Sequence, residues 1–123
     1  MTAKILLADD DEGWRELAGR WLRDAGYEVR SVGNGKGVLA LAREFRPDGF
    51  VLDHDLGDTT GGELCETIKS DPEFEKAFVV IITAHAAVLP EVLARCPPDQ
   101  FVAKTEQSDE LVFVLETLLA KNG

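Results

Sequence analysis

Three runs in this chain are apolar at every position: Ile5-Leu6-Leu7-Ala8, Phe50-Val51-Leu52 and Phe78-Val79-Val80-Ile81-Ile82. A strand with one face in water alternates apolar and polar residues, so a strand with no polar face has to be covered on both sides. Helix-like segments separate these runs. Over Glu12 to Ala25, Trp14, Leu17, Ala18, Trp21, Leu22 and Ala25 share one stripe, leaving Arg15, Glu16, Arg20 and Arg23 outside it. Gly26 follows as a C′ glycine. Glu28 to Val32 reads as a second strand, and Asn34 is placed to cap a helix running to about Phe45. Gly61-Gly62 opens a third helix with Leu64, Cys65 and Ile68 inward, and Asp71-Pro72 stops it. A short helix is expected over 87–95, a fifth strand over Phe101 to Ala103, and a last helix capped by Ser108. Five strands alternating with five helices predict one doubly wound α/β domain with a parallel sheet.

That architecture places ligands at the carboxyl ends of the strands, where strand order reverses. Chemistry-bearing residues stand at those ends: Asp9-Asp10 after the first strand, Asp53 after the third, Thr83 after the fourth and Lys104 after the fifth. Asp11 is explained as a helix N-cap, but two further acids at the end of a buried strand are not. Like charges so close raise one another's pKa unless a cation neutralises them. A hard divalent ion with oxygen ligands does so, and Mg²⁺ (or Mn²⁺ in its place) typically takes one or two carboxylates and keeps several waters. Beside such an ion Asp53 becomes a candidate nucleophile for an acyl phosphate. Lys104 and the Thr83 hydroxyl would then meet phosphoryl oxygens, and Ala84 leaves room for the group to enter.

Bulk properties exclude other classes. The chain has 123 residues, 45% hydrophobic and 29% charged, which suits a single globular domain with its own core. No apolar stretch approaches the ~20 residues that span a bilayer, and Met1-Thr2-Ala3-Lys4 has no signal-peptide anatomy. A net charge of −10 argues against direct nucleic-acid binding. Cys65 and Cys96 make neither a disulfide framework nor a metal cluster, so buried thiols and a cytoplasmic location are expected.

Taken together, these segments resemble the receiver domains of bacterial two-component response regulators. The resemblance rests on Ile5-Leu6-Leu7-Ala8-Asp9-Asp10-Asp11, Pro47-Asp48-Gly49-Phe50-Val51-Leu52-Asp53, Gly61-Gly62-Glu63-Leu64, Val79-Val80-Ile81-Ile82-Thr83-Ala84 and Lys104, and it covers nearly the whole chain. It implies a flavodoxin-like sheet of order 2-1-3-4-5, with Asp9 and Asp10 as metal-binding acids and Asp53 as phosphoacceptor. Thr83 is then similar to the switch hydroxyl, Lys104 to the phosphate-pairing lysine, and Phe101 to the aromatic that swings inward on activation. The implied partners are a sensor histidine kinase or phosphotransfer protein, which supplies the phosphoryl group from a phosphohistidine, and a downstream protein target.

The chain departs from the family's pattern at three places. Thr105 follows Lys104 where receivers commonly have a proline in a cis bond. A cis bond before Thr costs about 2.5–4 kcal/mol, so a trans or rearranged loop is expected. Gly57 stands where the loop after the phosphoacceptor usually has proline, which predicts a more mobile metal-side loop. Asp55 and His85 flank the position of the water that attacks the phosphoryl group. Asp55 is expected to bind the metal through its backbone or water, and with His85 to tune dephosphorylation. His54 reads as a packed or surface histidine.

The chain given ends at Gly123, directly after the last helix, and a single receiver domain without an output domain is expected. Such a domain acts through its own surface or passes the phosphoryl group on. Phe113 falls opposite the buried stripe of the last helix, which makes it a candidate partner or homodimer contact. Two other readings compete with the switch. One is a degenerate receiver that docks its partner regardless of phosphorylation. The other is a small phosphatase, since Asp53-His54-Asp55 resembles the Asp-x-Asp motif of haloacid dehalogenases, although no cap encloses a substrate.

Overall fold

The computed structural model describes residues 2–84, 99–104 and 109–122. Its elements are β1 (Lys4–Ala8), α1 (Glu12–Asp24), β2 (Glu28–Val32), α2 (Lys36–Phe45), β3 (Gly49–Asp53), α3 (Gly61–Lys69), a 3₁₀ turn (Pro72–Phe74), β4 (Phe78–Thr83), β5 (Gln100–Ala103) and α4 (Asp109–Asn122). The strands form one parallel sheet of order β2-β1-β3-β4-β5, as expected. Four α-helices lie among the described residues. The helix expected over 87–95 falls outside them, as do His85, Cys96, Thr105 and Ser108.

Period-two alternation divides the strand residues between two cores. Leu6, Phe50, Leu52, Val79 and Ile81 pack with Val38, Ala42 and Phe45 of α2 and with Leu64, Cys65 and Ile68 of α3. Ile5, Leu7, Val51, Phe78, Val80 and Ile82 face the other way, onto Ala18 and Leu22 of α1 and Leu111, Val114 and Leu115 of α4. Every residue of β3 and β4 is buried, which is why these runs carry no polar alternation.

The helix ends follow local chemistry. Asp11 caps α1 by accepting the Trp14 N–H at 3.2 Å, and Gly26 takes φ 98° after its end. Ala25, placed in the α1 stripe by spacing, is exposed: the helix stops at Asp24 and Ala25 is its C-cap. Asn34 accepts the Gly37 N–H at 2.9 Å, but α2 begins at Lys36 and its N-cap is Gly35, one residue after the expected cap. Thr60 caps α3 by accepting the Glu63 N–H.

The start of α3 comes very close to the end of β3. The Gly61 N–H donates to the His54 carbonyl at 2.7 Å. A Cβ added at Gly61 would lie 2.8 Å from the Asp53 carbonyl oxygen and 3.0 Å from Ile81 Cδ1. Backbone cannot yield there as a flexible side chain would, so Gly61→Ala is expected to destabilise the fold by about 1–3 kcal/mol. Urea unfolding at an unchanged m-value would measure it.

Candidate functional site

Sheet register brings the chemistry together. Asp53 pairs with Ile82 and Thr83 with Ala103, so the ends of β3, β4 and β5 lie side by side. Asp9 continues β1, its N–H bonded to the Val32 carbonyl at 3.2 Å. Lys104 continues β5, its N–H bonded to the Thr83 carbonyl at 2.7 Å. Asp9 is wholly buried, Asp53 and Thr83 are each 5% exposed, and Asp10 is exposed.

One carboxylate oxygen from each of Asp9, Asp10 and Asp53 falls within 4.8 Å of the other two. The Lys104 ammonium enters from the far side, 2.8 Å from Asp9 Oδ2 and 3.4 Å from Asp53 Oδ2. Asp9 Oδ1 accepts the Asp11 N–H at 2.8 Å. Asp9 Oδ2 is buried without a hydrogen bond despite its short distance to Lys104, so that contact is a charge pair with poor directional geometry. An acceptor buried in this way, beside two more carboxylates, fits a hard cation such as Mg²⁺, which binds through oxygen.

The electrostatics agree. Burial pushes the Asp53 carboxyl up to about 6, and the Asp9 charge adds to this, against the opposing pull of Lys104 and the Asp55 N–H. Burial pulls the Lys104 ammonium down, but Asp9 and Asp53 outweigh it and hold the group above its ordinary value.

The other residues singled out by sequence are placed as follows. Asp55 is exposed, and its carboxylate accepts the Gly57 N–H at 3.1 Å, outside the group of three acids. Phe101 is half-buried against the core that includes α2 and α3. His54 is packed, 8% exposed, with Nδ1 lacking a hydrogen-bond partner. Phe113 is 68% exposed on α4. His85 lies outside the described residues.

The loop after Asp53 is hydrogen-bonded on both sides of Gly57. Gly57 sits at φ 81°, a conformation that proline, locked near −65°, cannot adopt. Leu56 is buried and its N–H bonds the Thr59 carbonyl. The Asp58 carboxylate accepts the Gly35 and Lys36 N–H groups at the start of α2, at 2.8 and 2.9 Å. Those two bonds hold the Asp58 carboxyl below its usual range.

Sequence reasoning missed three residues here. Besides Asp58, Arg15 was read as outside the helix stripe, yet its Nη1 donates to the Asp9 carbonyl at 2.6 Å. Trp14 was read as part of that stripe, yet the Lys104 ammonium lies 5.1 Å from its ring centroid. Neither contact has a periodic signal, because each joins a helix to a strand end through tertiary packing.

Comparison with known proteins agrees with this geometry. Residues 5–116 match the response regulator receiver domain family. The DNA-binding response regulator MtrA of Mycolicibacterium smegmatis is 30% identical over 123 residues, 99% of this chain and 53% of MtrA. The probable transcriptional regulatory protein TcrX of Mycobacterium tuberculosis is 31% identical over 120 residues, 97% of this chain and 50% of TcrX. The chain thus spans about half the length of these curated relatives. Among solved structures, a putative response regulator from Chloroflexus aurantiacus superposes with a TM-score of 0.89 at 25% identity, covering 98% of this chain and 99% of that one. Response regulator TrrA of Thermotoga maritima, solved in complex with Mg²⁺–BeF, superposes with a TM-score of 0.86 at 25% identity, covering 95% and 99%.

The fold and site define a receiver of the kind used in two-component signalling. The chain belongs to the response regulator receiver domain family. The phosphatase reading is not favoured, since the family match spans the segments that suggested it. Among the described residues no helix is long and apolar enough to cross a membrane.

The raised Asp53 carboxyl gives a pH prediction. A carboxyl that binds its proton more tightly folded than unfolded contributes stability that is fully present below its unfolded pKa and lost as pH rises through about 6. Asp53→Asn removes the ionised form that costs the metal-free fold. The variant's stability advantage over the parent should therefore grow by about 1–3 kcal/mol between acid and neutral pH. Thermal melts of both proteins in chelator, from about pH 4 to about pH 7.5, would show the widening gap.

Proposed function

We propose that this chain is a Mg²⁺-dependent phosphoacceptor switch, in which Asp53 takes a phosphoryl group from a phosphohistidine of a sensor histidine kinase or phosphotransfer protein. The observation that carries this reading is the gathering of Asp9, Asp10 and Asp53 oxygens within 4.8 Å, with the Lys104 ammonium against two of them. Asp9, Asp10 and Asp53 would hold Mg²⁺, or Mn²⁺ in its place, with Asp55 contributing through its backbone or a water. When bound, the ion neutralises charge on the phosphoryl oxygens.

An ionised Asp53 oxygen attacks phosphorus, the P–N bond to the donor imidazole breaks, and the imidazole leaves with the bonding pair and picks up a proton. Lys104 follows the new charge, exchanging its carboxylate contacts for a phosphoryl oxygen. The Thr83 hydroxyl donates to another oxygen, and Phe101 packs behind it, so that the two form the switch. Asp55 and His85 tune the water that later hydrolyses the acyl phosphate. No outside substrate is turned over. The output is a protein contact that reads this state, with Phe113 on the candidate partner or homodimer face. The DNA binding named for the relatives belongs to proteins about twice this length and is not carried over to this receiver.

Intact-mass spectrometry after incubation with acetyl phosphate or phosphoramidate tests the reading. One base-labile phosphoryl adduct is expected with Mg²⁺, none with chelator and none in Asp53→Asn. Lys104→Met should slow labelling by about tenfold or more, the scale for losing one charge-stabilising donor. Mg²⁺ binding without any adduct, under conditions that label a control receiver, would leave a phosphorylation-independent docking module in its place.

A further inference from the structure

We infer that Trp14 is a positioning residue for phosphoryl transfer: its indole face seats the Lys104 ammonium beside Asp9 and Asp53. This rests on the reading of the site proposed above. Lys104 belongs to the end of the edge strand β5, whereas Asp9 belongs to β1, three places across the sheet. To reach Asp9 Oδ2 at 2.8 Å, a flexible side chain with four rotatable bonds has to stay extended over the cleft. Among the described residues the charge pair with Asp9 lacks hydrogen-bond geometry, and the Lys104 Nζ hydrogen bond to Asp53 is long, at 3.4 Å. Such contacts set the ammonium's direction of approach only weakly.

Trp14 supplies that direction. It lies in the first turn of α1, whose N-cap Asp11 directly follows the acid pair. Its ring centroid is 5.1 Å from Lys104 Nζ, within the range at which an aromatic face attracts a cation. With carboxylates on one side and indole on the other, the Lys104 side chain is only 14% exposed.

The ring is itself held. Trp21, two turns along α1, meets it edge to face at 88° with centroids 6.1 Å apart. Both tryptophans are half-buried and pack against the core that contains Ile82, Val102 and Leu111. Leu or Met at this position would fill the same stripe of α1. An aromatic face attracts the ammonium without an acceptor lone pair of its own, so it does not compete as a further carboxylate would for the donors that an incoming phosphoryl oxygen needs.

Two readouts test the assignment. First, Trp14→Leu should label with phosphoramidate and Mg²⁺ about tenfold more slowly than the parent, and Trp14→Phe should fall between them. Mg²⁺ affinity by calorimetry should stay within about twofold, because Asp9, Asp10 and Asp53 are untouched. A merely structural role for the ring would lower the melting temperature without ordering the rates Trp, Phe, Leu. Second, the chain has two tryptophans, so Trp21→Phe leaves Trp14 as the sole indole. Its emission should shift on adding Mg²⁺ and beryllofluoride, and the shift should disappear when Lys104→Met is added.

Labelling of Trp14→Leu at the parental rate, or an emission shift that ignores Lys104→Met, overturns this inference while the phosphoacceptor reading stands. A parent that takes no phosphoryl group overturns that reading and this inference with it. Should Trp14→Leu fail to fold, Trp14→Phe and the emission experiment decide.

Discussion

Asp9 and Asp53 place two carboxylates in a buried cleft where the Lys104 ammonium is the cation that meets both. With Asp10 beside them, negative charge exceeds positive charge, and burial removes the water that would otherwise screen it. Burial first, and the Asp9 charge second, raise the Asp53 carboxyl, while the Asp9 oxygen has only the Lys104 charge pair among the described residues. The fold tolerates this excess of negative charge because the groups sit on strand ends anchored by two apolar cores, which leave the carboxylates nowhere to retreat. Such a group of oxygens fits a hard divalent cation.

The surrounding contacts hold this cleft in shape. Arg15 grips the Asp9 carbonyl from α1, and Gly61 lets α3 close directly onto the end of β3. Asp58 ties the loop after Asp53 to the first turn of α2, where its carboxylate meets two N–H groups without intrahelical partners. Each of these links joins a helix or loop to a strand end. The position of Asp53 is therefore set by α1, α2 and α3 as well as by its own strand.

Most of the architecture was legible because it rests on periodicity. Unbroken apolar runs marked β3 and β4 as covered on both faces, and helical spacing marked the α1 and α4 stripes. The acids, Thr83 and Lys104 were legible because a doubly wound sheet sends the ends of its strands to one edge. Ala25 was misplaced because spacing continues past the point where a helix leaves its sheet. The left-handed φ of Gly57, within a loop held by backbone and side-chain bonds, leaves no period to read.

The sequence by itself determined which elements form, which faces they bury and which residues reach the common edge, because these follow from local pattern and the handedness of crossovers. Only the tertiary structure decided which oxygen Lys104 approaches, that Trp14 lies against it, and that Arg15 and Asp58 support the cleft. Those outcomes depend on distances between side chains from elements far apart in the chain, and such distances leave no period or spacing to read. They are settled when helices and sheet pack and the long polar side chains find the partners that burial has left within reach.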